Sequence, residues 1–453
     1  MSQLKKKISL YSKNAADILK KLDGLTGLIY LNDNNNPTIG FLPQDYIIIQ
    51  NENYLEFERK NFNEYKNRSK LNQLLNFIQF KENNLHKDIK STTSFMGGYI
   101  GFISYDFSAH QFINGQNHIQ PSLFLGQYRS FLKYIDNDWY FLSDEESAID
   151  LFSYIENKIE NYTSSNSKNT FELKTTIQPR WSKKQYFDAF YKIQEYIKAG
   201  DCYQINLTQE FKAKFSGSLL NKAKDLWQLT NAPYAGYLKL DDFELLSCSP
   251  ELFIEFNQNK QIKTRPIKGT MPRYENAEKD FISKHTLKNS QKDQAENVMI
   301  VDLLRNDLSI YANTGSVKTT KLFEIESFNQ VHHMVSEIVA TLKDDINPMQ
   351  MLLSALPGGS ITGAPKIRAM QIIEELEPHR RNVYCGAIGY ISQHGHMDTN
   401  IAIRTLVVAD QHIHCWAGGG IVADSQGAAE YQETYDKVGK ILPVLMQGHG
   451  QQQ

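Results

Sequence analysis

With 453 residues the chain is too long for one ordinary domain; it has room for two, or for one large layered α/β unit with an N-terminal elaboration. Its 49 basic and 51 acidic side chains nearly cancel, leaving a formal charge of −2, so no global field favours nucleic acid or an anionic membrane. A small molecule is the default partner, and the best apolar run, 298–308, is interrupted by Asp302 and Arg305 and falls short of the roughly 18 residues of a membrane span.

From the N-terminus, Lys5, Lys6 and Lys7 precede Ile8-Ser9-Leu10-Tyr11-Ser12-Lys13, which is too short and polar for a signal peptide, so secretion is not expected. Residues 1–160 read as a mixed α/β region: strands at Leu28-Ile29-Tyr30-Leu31 and 46–49, a helix around 71–80, and a hairpin turning at Asp136-Asn137-Asp138. A polar stretch follows, and 161–180 is taken as loop or linker before a C-terminal region at 181–446. There, Ser182 and Gln185 make a capping box, Phe187, Phe190, Ile193 and Ile197 recur at helical spacing, and Gly200 ends the helix. Alternation through Tyr203, Ile205 and Leu207 predicts a half-buried strand. Further strands are expected at 234–240, 244–249, 252–256, 383–391, 397–409 and 412–422, and helices at 277–309, 365–376 and 428–446. Short connections imply antiparallel pairing, so the expected class is α+β, a large layered sandwich with antiparallel sheets. Cys202, Cys248, Cys385 and Cys415 are widely spaced with no Cys-x-x-Cys pair, which fits a reducing cytoplasm and buried thiols.

Several constellations could carry chemistry. Asp293 and Glu296 share one helical face, as do Glu430 and Glu433, with Lys437 on the same side. Ordinary solvated helices show such pairs; carboxylates from two helices also make an oxygen-rich site suited to Mg²⁺. The turn Pro357-Gly358-Gly359-Ser360-Ile361-Thr362-Gly363-Ala364-Pro365-Lys366 has glycines at phosphate-loop spacing, but Ala364 stands where that loop needs lysine. A structural turn and a carboxylate cradle using Thr362 both remain open. In Trp416-Ala417-Gly418-Gly419-Gly420-Ile421, three glycines in a strand point either to a bulge or to close approach by a ligand. Lys268, in Pro266-Ile267-Lys268-Gly269-Thr270, is either a solvated lysine or, if desolvated, a nucleophile. Glu251, between two strands in Ser249-Pro250-Glu251, is either an edge carboxylate or a general acid raised by burial. Arg404, among strand apolars, needs a buried anion.

Together these residues resemble one family, the chorismate-utilising enzymes, over about residues 182–440. The resemblance rests on 200–209, Ser249-Pro250-Glu251, 266–270, Ala295-Glu296-Asn297 continuing into 301–308, 357–366 and 417–425. The family makes anthranilate, aminodeoxychorismate, isochorismate and salicylate. Its water-adding members place a lysine base where this chain has Gln204, so the resemblance implies ammonia as nucleophile. Anthranilate-forming members typically carry alanine where Lys268 stands, whereas aminodeoxychorismate-forming members carry a lysine that attacks covalently. Amination of chorismate to 4-amino-4-deoxychorismate, toward 4-aminobenzoate and folate, is therefore the implied reaction. The alternatives are an anthranilate-forming synthase and a non-catalytic chorismate-binding subunit.

The resemblance also assigns roles. Mg²⁺ would be held by Glu296 and Glu433, with Asp293 and Glu430 acting through water, and would grip the ring carboxylate. Gly418, Gly419, Gly420 and Lys437 complete that pocket, Gly269, Thr270 and Thr362 line the substrate, and Tyr390 and Arg404 are expected on the enolpyruvyl carboxylate. Glu251 would protonate the departing C4 hydroxyl while Lys268 attacks C2, and ammonia would then enter at C4. No cysteine lies in a Gly-x-Cys-x-Gly elbow, so a separate glutamine amidotransferase subunit is implied as the ammonia source. Many members bind tryptophan in the N-terminal half; here Asn32 replaces the serine of that pattern while Pro233, Tyr234 and Ala235 keep it.

Overall fold

The computed structural model describes residues 4–33, 35–50, 53–68, 94–114, 120–162, 170–257, 259–328 and 331–447; the helix expected around 71–80 lies outside them. The elements that build the site are, in chain order, β1 (Leu28–Leu31), β2 (Gly98–Ile103), α1 (Lys183–Ala199), β3 (Gln204–Ser216), β4 (Tyr234–Leu240), β5 (Phe243–Ser249), β6 (Leu252–Phe256), β7 (Ile267–Pro272), α2 (Ala277–Lys288) and α3 (Gln291–Ser309). They continue with β8 (Lys318–Ser327), β9 (Val331–Thr341), α4 (Lys366–Leu376), β10 (Ala387–Ser392), β11 (Met397–Ile401), β12 (Thr405–Ala409), β13 (His412–Ile421) and α5 (Gly427–Val438).

Among the described residues the strands form two antiparallel sheets, of thirteen and twelve strands. In the first, β1, β4, β5, β12, β13 and β3 lie side by side in that order; in the second, β6, β11, β10 and β2 do, with β7 and β8 flanking β9 at one end. The two sheets face each other across a core in which Leu245 and Ile205 of the first meet Phe253 and Ile388 of the second. Phe102 and Phe243 stack across it, ring centroids 5.5 Å apart. Leu246, next to Leu245, points the opposite way, into a second core that also holds Leu19, Ile155 and Leu226. That alternation follows from the period of two along a strand and explains why β5 is buried on both faces.

Helix α1 starts at the Ser182–Gln185 capping box and ends at Gly200, whose φ of 81° is left-handed, as the sequence implies. Elsewhere local chemistry divides what periodicity joins. The helix expected over 277–309 is two, because Ser290 caps α3 by accepting from the Asp293 N–H at 3.3 Å. The segment 428–446 is likewise α5 followed by a short helix, Ile441–Met446. The strand expected over 397–409 is β11 and β12, which belong to different sheets. The strand expected from 383 begins at Ala387, since Tyr384 and Gly386 donate to Arg381 and Val383 in a turn with Cys385 at φ 66°. The boundary placed near 180 separates no sheet from another: β1 pairs with β4 and β2 with β10, so both sheets draw on both halves of the chain.

Candidate active site

Two strand pairs cross from one sheet to the other at the same point. β5 leaves the first sheet through Ser249-Pro250-Glu251 to enter the second as β6, and β11 leaves the second through 402–404 to enter the first as β12. The crossings are tied together: the Ser249 hydroxyl donates to the Ile401 carbonyl at 2.6 Å, Ile401 N–H to the Glu251 carbonyl at 3.1 Å, and Cys248 N–H to the Arg404 carbonyl at 3.0 Å. Arg404 has a φ of 52°, a strained value for a side-chain-bearing residue, which the crossing enforces. Glu251 and Arg404 are thereby brought into one neighbourhood, although 153 positions separate them in the sequence. The Arg404 guanidinium is surrounded by protein, which lowers its pKa, and it makes no hydrogen bond or ion pair among the described residues.

The strand carrying Lys268 is irregular. Pairing of β7 with β9 shifts between Ile267 and Thr270, and Gly269 sits at φ 82°, where a Cβ would lie 2.9 Å from Leu287 and 3.0 Å from Asp293. This bulge releases Lys268 from the ladder. Lys268 as a whole is half-buried, and its ammonium has no hydrogen bond or ion pair among the described residues. Burial lowers its pKa and Lys437 adds to the lowering, against Glu296, Glu251 and Glu433, which raise it. Glu251 is buried, and its Oε1 accepts weakly from the Ile267 N–H at 3.4 Å. Burial raises its carboxyl to about 7, although Lys268, that N–H, Arg404 and Lys437 pull it down.

Sequence reasoning missed His333. Its Nδ1 lies 2.8 Å from the Thr270 hydroxyl and its ring also bonds the Gly269 backbone, so one imidazole braces the two residues after Lys268. Burial, reinforced by Arg404, pushes it down to about 3, which keeps the ring neutral. The available signal was a pair of histidines, His332 and His333, in a strand whose buried residues also include Met334, Val335 and Ile338.

The four carboxylates come from α3 and α5. Helix α5 packs on β13, and Gly419 makes the close approach possible: a Cβ there would sit 2.7 Å from Glu430 Oε2 and 3.4 Å from Glu433 Oε1. Glu430 Oε1 accepts from the Ser425 hydroxyl at 2.7 Å, while Oε2 is buried without a partner among the described residues. Burial raises Glu430, with Glu433 adding to the rise, and burial also raises Glu296 despite Lys268. Burial pushes Glu433 up too, but the Lys437 ammonium, bonded to it at 2.6 Å, outweighs that and leaves it lowered. Lys437 also donates to the Gly418 carbonyl at 2.7 Å. No three acidic, His or Cys side chains form a closed metal cage among the described residues. Mg²⁺ does not need one, since it keeps several waters and takes one or two carboxylates plus an anionic ligand. The orphaned Glu430 oxygen and the all-oxygen donor set fit that ion.

Other expected site residues fall in different places. Gly420 faces Gln204, whose Nε2 lies 2.3 Å from where a Cβ would be; the Gln204 Oε1 is buried and unpartnered among the described residues. Thr362 is a correction: its buried hydroxyl donates to the Gly358 carbonyl at 3.0 Å, inside its own turn, rather than facing a ligand. The turn itself packs on α3, where Gly359 leaves room for Leu303. Tyr390 is another correction, because its hydroxyl donates to Asp33 at 2.9 Å, in a buried cluster with Lys133. Strand parity is the reason: β10 turns Tyr390 toward Phe95, at 5.5 Å between ring centroids. The four residues of the tryptophan pattern do meet: Asn32 Nδ2 donates to the Ala232 and Pro233 carbonyls at 3.2 Å, and its N–H to the Ala235 carbonyl at 2.8 Å, with Tyr234 between.

The described helices include none long and apolar enough to cross a membrane. Residues 28–443 match the family model described as chorismate binding enzyme. Aminodeoxychorismate synthase component 1 of Escherichia coli (strain K12) is 45% identical over 360 residues, covering 78% of this chain and 77% of that protein. The protein of the same name from Klebsiella aerogenes is 44% identical over 361 residues and 78% of each chain. Among solved structures, anthranilate synthase component I from Streptococcus pneumoniae TIGR4 superposes with a TM-score of 0.75 at 28% identity, covering 89% of this chain and 91% of that one. With the crossing strands, the released lysine and the paired acidic helices in place, this chain belongs to the chorismate binding enzymes.

Proposed function

We propose that this chain is the synthase component that converts chorismate and ammonia to 4-amino-4-deoxychorismate and water, supplying 4-aminobenzoate for folate synthesis. The observation that carries the reading is Lys268, an unpaired amine with lowered pKa beside a carboxyl raised to about 7. The names of the bacterial relatives support the same reaction, and "component 1" supports a second component that provides ammonia.

In the proposed reaction Arg404 holds one substrate carboxylate and orients the ring. Lys268 forms a C2–N bond as both ring double bonds shift, C1=C2 to C1=C6 and C5=C6 to C4=C5, and the C4–O bond breaks, while protonated Glu251 gives its proton to the departing hydroxyl as water. Ammonia then forms the C4–N bond, both double bonds shift back, and the C2–N bond breaks to return Lys268 as a neutral amine. The surplus proton on the new amino group restores Glu251. Neutral His333 keeps Gly269 and Thr270 in register beside the ring, and Lys437 offers a further cation to the second carboxylate. Mg²⁺ bound by Glu296 and Glu433, with Asp293 and Glu430 behind them, would supply the positive charge that neutralises that carboxylate.

Incubation with chorismate, Mg²⁺ and ammonium, with and without aminodeoxychorismate lyase, tests the reading. 4-Aminobenzoate is expected only when the lyase is present. Anthranilate formed without the lyase would reject it in favour of the anthranilate-forming alternative, and absence of any turnover would leave only a binding role.

A further inference from the structure

We propose that the outward face of α2, together with Tyr274 just before it, is the docking surface for the ammonia-supplying amidotransferase subunit; the inference rests on the synthase reading above. The inner side of α2 already satisfies the fold. Ser283 donates to the Pro272 carbonyl at 2.7 Å and Leu287 is buried against the Gly269 bulge. The outer side is unlike a solvated helix face: Phe281 is 67% and Ile282 55% exposed, and Tyr274 beside them is 46% exposed. The corner is rigid, since Asp280 accepts from Arg273 Nε at 2.8 Å and the Tyr274 N–H at 2.9 Å, and its Oδ1 lies 3.1 Å from His332 Nε2. β8, against which α2 also packs, adds exposed Leu322.

A rigid apolar centre inside a charged rim is the anatomy of a protein interface. The rim is mostly positive: Lys279, Lys284 and Lys288 are exposed and unpaired among the described residues, with Glu275 and Glu278 only at the N-terminal end. The complementary partner therefore has an apolar contact patch and an acidic surround. Position singles out the ammonia source. Helix α2 packs on the strand holding Lys268, so a subunit seated on it lies on the side of the chain that carries the reacting amine. All four cysteines are buried, and none lies in a Gly-x-Cys-x-Gly elbow of the kind glutamine amidotransferases use.

The test compares glutamine-driven synthesis, with the organism's purified amidotransferase subunit, against ammonium-driven synthesis by the same preparation. Phe281→Asp combined with Ile282→Asp is expected to weaken subunit binding and glutamine-driven rate by about tenfold or more, with the ammonium-driven rate within about twofold of the parent. Lys284→Glu with Lys288→Glu should give the same split without touching the apolar centre, and Tyr191→Asp on exposed α1 should change neither rate. Parental glutamine-driven rates in both α2 variants would overturn the proposal, as would a self-associated dimer lost in those variants while amidotransferase binding persists. If the parent itself shows no ammonium-driven turnover, the synthase reading fails first and takes this inference with it.

Discussion

The N–H of Ile267 lies 3.4 Å from Oε1 of Glu251, so the backbone immediately before Lys268 reaches a buried carboxyl raised to about 7. Burial moves the pKa values of acid and amine toward each other: Glu251 rises and Lys268 falls.

Removing the amine should separate binding from chemistry. Lys268→Ala is expected to retain chorismate affinity within a few-fold while lowering turnover by about 10³ or more, in the range lost when a covalent or acid–base group is deleted. Mass spectrometry of the parent under quench should show a lysine adduct that the variant lacks. An intact adduct in the variant would place the nucleophile elsewhere.

Glu251 links activity and stability with opposite signs. Its folded-state pKa is raised from 4.5 to about 7, so the native state holds a proton that the unfolded chain has released between those values. Stability therefore declines as pH rises through that window, by at most about 3 kcal/mol, and the full cost is present above it. Glu251→Gln should remove that cost, melting higher than the parent at pH 8 and losing the advantage near pH 4. Its turnover should drop by about 10²–10⁴, and the parent's acid-dependent step should slow as pH rises past about 7. A variant that melts lower than the parent at pH 8 would contradict the burial argument.

Gly419 is where the acidic helix comes closest to the sheet. In Gly419→Ala the new methyl meets Glu430 Oε2 at 2.7 Å, a distance no settled contact tolerates, so α5 or its carboxylates must move. Titration with Mg²⁺ should show half-maximal activity shifted upward by about 10–100-fold, the effect usual for disturbing the support of a metal ligand. An unchanged Mg²⁺ requirement would show that Glu430 and Glu433 do not serve the ion.

Tyr390 and Arg404 should part company. Arg404→Gln is expected to raise the chorismate KM by about 10–100-fold, the worth of a charge-assisted hydrogen bond in a partly buried site. Tyr390→Phe should leave KM unaltered and cost about 1 kcal/mol of stability through the lost bond to Asp33. A KM effect at Tyr390 equal to that at Arg404 would restore the role its sequence position suggested.

Much of the site was legible in the chain because its markers are local. Ser182 and Gln185 cap a helix wherever they occur in that spacing, and carboxylates three apart on a helix share a face without help from the rest of the fold. The resemblance could then attach a chemistry to Glu251, Lys268 and the acidic pairs. Segments 244–249, 252–256 and 397–409 read as strands by propensity, but propensity does not say that the chain changes sheet at 250–251 and at 402–404, and it is that change which sets Arg404 beside Glu251.

Nor could alternation alone choose between the two sides of a strand buried on both. Tyr390 reads equally well toward the substrate or toward Asp33, and only the packing of β10 between β2 and β11 settles it. The amino-acid sequence by itself determined the element types and the charged and glycine-bearing motifs, since these rest on side-chain chemistry and short-range geometry, and the resemblance carried by those motifs implied the reaction class. The tertiary structure alone decided which of those groups are desolvated and which face one another. Burial and the field of distant charges depend on residues brought together from hundreds of positions apart, and those fix the protonation states on which the proposed chemistry runs.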